Sequence, residues 1–125
     1  MKKILITGGA GFIGSALVNK LMIKKQYKIL NIDKLTYSNM IKFQPHLKKD
    51  SINYKFKKID ISSNKLKQII DNFKPDTIFN LAAESHVDNS IINSKIFIQS
   101  NILGTYNLLE SVKKFWKKND FFKKN

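Results

Sequence analysis

Gly8, Gly11 and Gly14, at the end of one apolar run, and Asp33, at the end of the next, carry the first chemical signal in the sequence. The spacing Gly-x-x-Gly-x-x-Gly, overlapped by Gly9-x-Gly11-x-x-Gly14, suits a chain that brings backbone N–H groups against a diphosphate. One glycine permits the tight turn out of a strand, one lets the backbone approach the anion, and one lets a helix pack closely on the sheet. The anion then rests on the unpaired N–H groups at the start of that helix, here near Phe12 and Ile13. A glycine triplet alone is weak evidence. Its context strengthens it, because the triplet follows a strand-like run, opens a helix-like one and precedes an acidic residue by about 20 positions. The Asp33 carboxylate can accept both hydroxyls of an adenosine ribose and repels a 2′-phosphate, which favours NAD over NADP, with neighbouring Lys34 working against that preference. Asp33 could otherwise serve as a turn or helix cap. Asp60, closing a third run, could touch the amino edge of an adenine with Ile61 against its face, or cap the following helix.

These residues need a scaffold, and the pattern supplies one. Residues 3–7 form a continuous apolar run closed by Gly8-Gly9, as in a strand buried on both faces. From Phe12 to about Lys25, Ile13, Ala16, Leu17 and Leu21 recur at helical spacing. Residues 28–33 read as a second strand, 36–50 as a loop with a short helix broken by Pro45, and 54–59 as a third strand. Ser62 or Ser63 can cap a helix over Leu66, Ile69, Ile70 and Phe73, which Pro75 stops. Residues 76–81 read as a fourth strand. A polar stretch, 84–93, leads into a long helix from about Ser94 to Lys117. Phe97, Ile98, Ile102, Leu108, Leu109 and Val112 are assigned to its core face, and Asn101 to a bond with neighbouring backbone. Strict alternation of strand and helix predicts an α/β fold with a parallel sheet covered by helices on both faces. The expected strand order is 3-2-1-4, the first half of a doubly wound Rossmann fold, with the C-terminal half missing. One dinucleotide-binding half-domain over 1–117 is expected, followed by a lysine-rich tail, 118–125.

Composition narrows the function classes. The 42% hydrophobic and 11% aromatic content of the 125 residues suits a packed core rather than disorder. There is no cysteine and there are two histidines, so neither a disulfide framework nor a metal site is expected. The first strand begins near Ile4, leaving no room for a signal peptide, and no apolar stretch reaches membrane-spanning length, which together suggest a cytoplasmic protein. The net charge of +14 raises the question of nucleic acid, yet all 23 basic residues are lysines scattered along the chain. Base readout and bidentate phosphate recognition favour arginine, so no nucleic-acid partner is expected. One Tyr-x-x-x-Lys occurs, Tyr54 to Lys58, but along a strand its ends lie roughly 13 Å apart, too far for the ammonium to depress the phenol pKa. No catalytic residue is assigned from this stretch. His86 and Asp88 read as hydrogen-bonding loop residues.

The blocks Thr7-Gly8-Gly9-Ala10-Gly11-Phe12-Ile13-Gly14-Ser15, Asp33-Lys34-Leu35-Thr36-Tyr37, Leu81-Ala82-Ala83-Glu84-Ser85-His86-Val87-Asp88 and Asn101-Ile102-Leu103-Gly104-Thr105 resemble those of the dTDP-glucose 4,6-dehydratases, members of the extended short-chain dehydrogenase/reductase group. The first block is shared with many sugar-nucleotide epimerases and dehydratases; the second and third are narrower. The resemblance implies NAD contacts from Gly8, Gly11, Phe12, Ile13, Gly14, Asp33, Lys34, Leu35, Thr36, Asp60, Ile61, Leu81, Ala82, Ala83, Glu84, Ser85 and Ser100, with Ser85 also facing the hexose of dTDP-glucose. It further implies homodimeric complete members. The implied reaction removes hydride from C4 of the sugar, expels water across C5–C6 and returns hydride to C6, so that dTDP-4-keto-6-deoxyglucose forms and NAD is unchanged overall. The family's Thr-Asp-Glu segment and helical Tyr-x-x-x-Lys are not in the chain, so the 125 residues are expected to be an inactive N-terminal fragment. A fragment of another nucleotide-sugar epimerase or dehydratase, or a non-catalytic NAD-binding module, is the competing reading. Three departures from the family stand out: Ser38-Asn39-Met40 where Ala-Gly-Asn is usual, Asn89 where Arg is common, and Ser94 for a common Pro.

Overall fold

The computed structural model describes residues 1–119. Most of the predicted lysine-rich tail, residues 120–125, lies outside the described residues. Four strands, β1 (Lys2–Thr7), β2 (Tyr27–Asp33), β3 (Tyr54–Lys58) and β4 (Thr77–Asn80), form one parallel sheet in the order β3-β2-β1-β4. The order and direction are those expected from the alternation of elements. Helices α1 (Phe12–Ile23) and α2 (Leu66–Phe73) occupy the crossovers.

The apolar runs of β1 and β2 are continuous because both sheet faces are covered. Leu5, Leu30 and Ile32 point to one face, where they meet Ile61, Leu66, Ile69 and Ile70, and Leu108, Val112 and Phe115 of the last helix. Ile4, Ile6 and Ile29 point to the other, packed with Val18 of α1 and with Leu47 and Tyr54. The short helix anticipated near Pro45 is a single 3₁₀ turn, Pro45–Lys48, which buries Leu47.

Two readings of helix faces need correction. Ile13 and Ala16 are exposed, and α1 instead buries Gly14, Ser15 and Val18, because the helix start must nestle against the glycine turn. The long helix expected over 94–117 is divided. A short helix α3 (Val87–Ile92), unforeseen in the polar stretch, precedes α4 (Ser94–Phe97), a π-helical segment (Ile98–Gly104) and α5 (Thr105–Lys118). Leu108 and Val112 are core, whereas Ile98, Ile102 and Leu109 are exposed and Phe97 lines a cavity. The wider π turn rotates the face that a regular 3.6-residue period would have buried.

Tyr54, an edge-strand residue, is buried with its hydroxyl donating to the Leu47 carbonyl at 2.6 Å and accepting from Asn31 Nδ2 at 3.0 Å. Burial, the largest cause, pushes its pKa up from the ordinary 10.0, with Asp50 and Asp33 adding to the rise and the Asn31 bond opposing it. A folded-state value above the unfolded one means that the protonated phenol stabilises the fold below pH 10 and that this contribution disappears as pH rises through the folded value. Tyr54→Phe should cost about 1–2 kcal/mol at neutral pH by orphaning the Leu47 carbonyl and the Asn31 amide. Thermal denaturation above pH 10 should show the gap between wild type and variant shrinking. A constant gap would contradict the burial argument.

Candidate functional site

The glycine turn is built by backbone packed against backbone. Gly8, at φ +70°, leaves β1 in the left-handed region, and its N–H donates to the Ile32 carbonyl at 2.9 Å. A Cβ there would sit 2.5 Å from the Ala82 nitrogen at the end of β4, and one on Gly14 would sit 2.1 Å from the Gly8 carbonyl oxygen. Gly9 lies directly over the buried Asn31 side chain, where a Cβ would come within 2.1 Å of Oδ1. Gly11 differs. Its nearest neighbour to an added Cβ is the Gly8 oxygen at 3.3 Å, and no other heavy atom outside its chain neighbours comes within 4 Å. Gly8, Gly9 and Gly14 are therefore required by the protein itself, while Gly11 presents bare backbone to open space. No side chain caps α1, so the first-turn N–H groups beside Phe12 and Ile13 receive no acceptor of that kind.

Asp33 sits opposite this turn. One carboxylate oxygen accepts the Ala10 N–H at 2.9 Å and the other accepts the Leu35 N–H at 2.8 Å. Each oxygen keeps a second lone pair. The carboxylate thus fixes the loop and still has acceptor capacity facing the cleft. Its grip also holds Leu35 at φ +59°, a conformation that costs a branched side chain about 1 kcal/mol. Met40 N donates to Ala10 O at 2.7 Å, tying the loop after β2 to the glycine turn. None of Ser38, Asn39 and Met40 has positive φ, so the glycine usual in that loop is dispensable here.

The far wall comes from the end of β4 and the π-helical segment. Lys34 Nζ lies 3.0 Å from Glu84 Oε1 and also bonds to the Ser100 hydroxyl. Asn101, next in the segment, pins the Glu84 backbone on both sides: Oδ1 accepts its N–H at 2.8 Å and Nδ2 donates to its carbonyl at 3.0 Å. Asn101 mimics a neighbouring strand for a loop that has none, the bond to backbone anticipated for it. Gly104, one turn on, packs against Ile61, where a Cβ would stand 2.7 Å from Cγ1. Asn101→Ala should cost about 1–2 kcal/mol and speed hydrogen exchange at the Glu84 amide, with β1 amides unchanged. Unaltered exchange at Glu84 would show that the pin does not hold the loop.

Eleven of the sequence-predicted residues converge on one cleft of about 520 Å³ including its open mouth: Gly8, Gly11, Asp33, Lys34, Thr36, Asp60, Ile61, Leu81, Ala82, Ala83 and Ser100. The other six lie around it. Glu84 faces a second, larger cavity that shares Lys34, Thr36, Asp60 and Ser100 with the cleft. Phe12 and Ile13 stand exposed at the helix start, Gly14 is buried beneath the turn, Leu35 is turned by its left-handed backbone, and Ser85 is exposed. Asp60 is not the helix cap. Its Oδ1 accepts both the Ser62 N–H and hydroxyl at 2.8 Å, shaping the turn after β3, while Ser63 Oγ accepts from Lys65 N. Ser94, in place of the common Pro, is the first residue of α4, and Asn93 occupies the N-cap position. Asn89, in place of the common arginine, donates to the Tyr37 hydroxyl, and the Tyr37 ring packs on His86 at 5.4 Å. Sequence reasoning missed Asn31, Ser38 and Asn39 as parts of this region, since nothing local to them marks a site.

The chain is similar to known proteins over most of its length. The profile of the GDP-mannose 4,6 dehydratase family matches residues 5–123. The dTDP-glucose 4,6-dehydratase of Salmonella typhimurium is 46% identical over 95% of this chain and 35% of its own length. The crystal structure of dTDP-glucose 4,6-dehydratase from Bacillus anthracis in complex with NAD superposes with a TM-score of 0.77 at 38% identity, over 92% of this chain and 34% of that one. UDP-glucose 4-epimerase of Thermotoga maritima, solved with UDP-glucose, gives a TM-score of 0.76 at 32% identity over 90% of this chain and 34% of that one. The chain spans about a third of the length of these relatives. With nearly all of its length matched by the family profile, and with the fold and glycine turn in place, the chain belongs to the GDP-mannose 4,6-dehydratase family.

Proposed function

We infer that residues 1–117 are the NAD-binding portion of a dTDP-glucose 4,6-dehydratase. The observation that carries this reading is the contrast among the glycines: Gly8 and Gly14 are demanded by internal packing, but Gly11 is open, across from a carboxylate already oriented by two backbone donors. A diphosphate at Gly11 and the α1 N-terminus would place an adenosine ribose at Asp33 and the adenine between Asp60 and Ile61. When bound, NAD would supply reversible hydride transfer at the sugar. The residues of this chain would bind and orient it, with Leu81 to Ser85 among the contacts and Ser85 also facing the hexose. Identities of 46% and 40% to the dTDP-glucose 4,6-dehydratases of Salmonella typhimurium and Neisseria gonorrhoeae support dTDP-glucose as the substrate of the complete enzyme.

The 125 residues do not carry out the dehydration alone. Their one Tyr-x-x-x-Lys, Tyr54 to Lys58, lies along β3 with the Tyr54 hydroxyl committed to Leu47 and Asn31. The exposed apolar side chains of Ile92, Ile96, Ile102 and Leu109 support their burial in a homodimer of the complete protein. Among the described residues no helix is long and apolar enough to cross a membrane, and a cytoplasmic location fits a nucleotide-sugar substrate. Calorimetric titration of the purified chain with NAD tests the reading. Micromolar binding is expected, and incubation with NAD and dTDP-glucose should yield no 4-keto product. A folded chain that fails to bind millimolar NAD would overturn it.

A further inference from the structure

We propose that Glu84, through its ion pair with Lys34, is the positioning residue that keeps this site selective for NAD against NADP. The inference rests on the NAD-binding reading above. In folds of this kind a cation just past the acid that ends the second strand is what accommodates a ribose 2′-phosphate. Lys34 stands at that position, so the bare sequence carries both a repelling carboxylate and an attracting ammonium. The structure resolves the conflict. Lys34 Nζ pairs with Glu84 Oε1, 3.0 Å distant, and bonds to the Ser100 hydroxyl.

Both partners of Lys34 are held in place. The Glu84 side chain is 5% exposed against 29% for Lys34, so the carboxylate sits in a poorly solvated position where an opposite charge is most strongly attracted. Glu84 cannot drift, because Asn101 bonds its backbone N–H and carbonyl together. Ser100 is buried in the same π-helical segment. The ammonium is therefore spent where the two cavities share their lining. The cleft is lined by the Asp33 and Asp60 carboxylates, and its one lining ammonium, Lys34, is already paired with Glu84, a balance that disfavours a phosphate dianion.

Glu84→Gln preserves the shape and backbone pinning while removing the charge that holds Lys34. Affinities for NAD and NADP are measured by calorimetry on the folded chain, with circular dichroism confirming the fold. The variant should bind NADP about tenfold more tightly relative to NAD than wild type does, the gain of one charge-assisted bond. The double variant Lys34→Met with Glu84→Gln should lose that gain. Lys34→Gln alone provides an independent reading in the opposite direction, since two unneutralised carboxylates should widen the preference for NAD by roughly threefold. An unchanged NADP-to-NAD ratio in folded Glu84→Gln or Lys34→Gln, or a gain that survives in the double variant, overturns the proposal. Wild type that binds NAD without discriminating against NADP overturns it too, leaving the NAD reading intact. Wild type that binds neither dinucleotide overturns both.

Discussion

Gly14→Ala should destabilise the chain by about 3 kcal/mol or more, whereas Gly11→Ala should cost at most about 1 kcal/mol and abolish NAD binding. The contrast follows from what each added methyl would meet. At Gly14 it would strike the Gly8 carbonyl oxygen at 2.1 Å and the Gly9 Cα at 2.7 Å. Both are backbone atoms in a turn fixed by hydrogen bonds from Gly8 N to Ile32 and from Gly11 N to Gly8, so neither can swing aside as a side chain would. Relief requires α1 to lift from the sheet, which would undo the burial of Val18. Against the roughly 5–15 kcal/mol that stabilises a typical domain, that is a large loss, visible as a fall of roughly 10 °C or more in thermal midpoint. At Gly11, φ is −73° and ψ 177°, a conformation alanine adopts freely, and the methyl points into space where the diphosphate is proposed to lie. Thermal melts and calorimetry on the two variants separate the roles. Wild-type affinity in Gly11→Ala, or equal destabilisation by both, would dispose of the cradle.

The sheet was legible in the sequence because its strands obey local rules. Each of β1 and β2 is an apolar run bounded by turn residues, and alternation with helices leaves few topologies to choose from. The cleft was legible for the same reason: its acids and glycines stand at strand ends, where parallel sheets converge on ligands. What escaped detection depends on partners distant in sequence. Asn31 dictates Gly9 from the neighbouring strand, and no spacing within either segment reveals it. The π-helical segment inserts no residue type that announces it; its cause is tertiary, since Ser100, Asn101 and Gly104 must all reach inward, to Lys34, Glu84 and Ile61. Ile98, Ile102 and Leu109 fit a helical core pattern by composition but face outward. Apolar periodicity specifies that a face must be covered, without specifying by what.

Asp33 poses a sharper question, because its two readings, structural cap and ribose acceptor, turn out to be compatible. The cap is visible: one oxygen takes the Ala10 N–H and the other the Leu35 N–H. A side-chain amide in place of the carboxylate can satisfy one of these donors only, for whichever way it turned, its NH2 group would face a backbone N–H. Asp33→Asn should therefore cost about 1–3 kcal/mol without any ligand, and release Leu35 from its left-handed backbone. A purely structural role would end there, with NAD binding by the folded fraction unchanged. If the same carboxylate also receives the ribose hydroxyls through its remaining lone pairs, affinity should fall on the order of a hundredfold even below the melting transition, since two charge-assisted bonds are lost at once. Titrations at about 10 °C, near the usual temperature of maximum stability and with the fold of the variant verified by circular dichroism, read the second effect free of the first. Undiminished affinity there would confine Asp33 to holding the loop and remove the ribose from the proposed site.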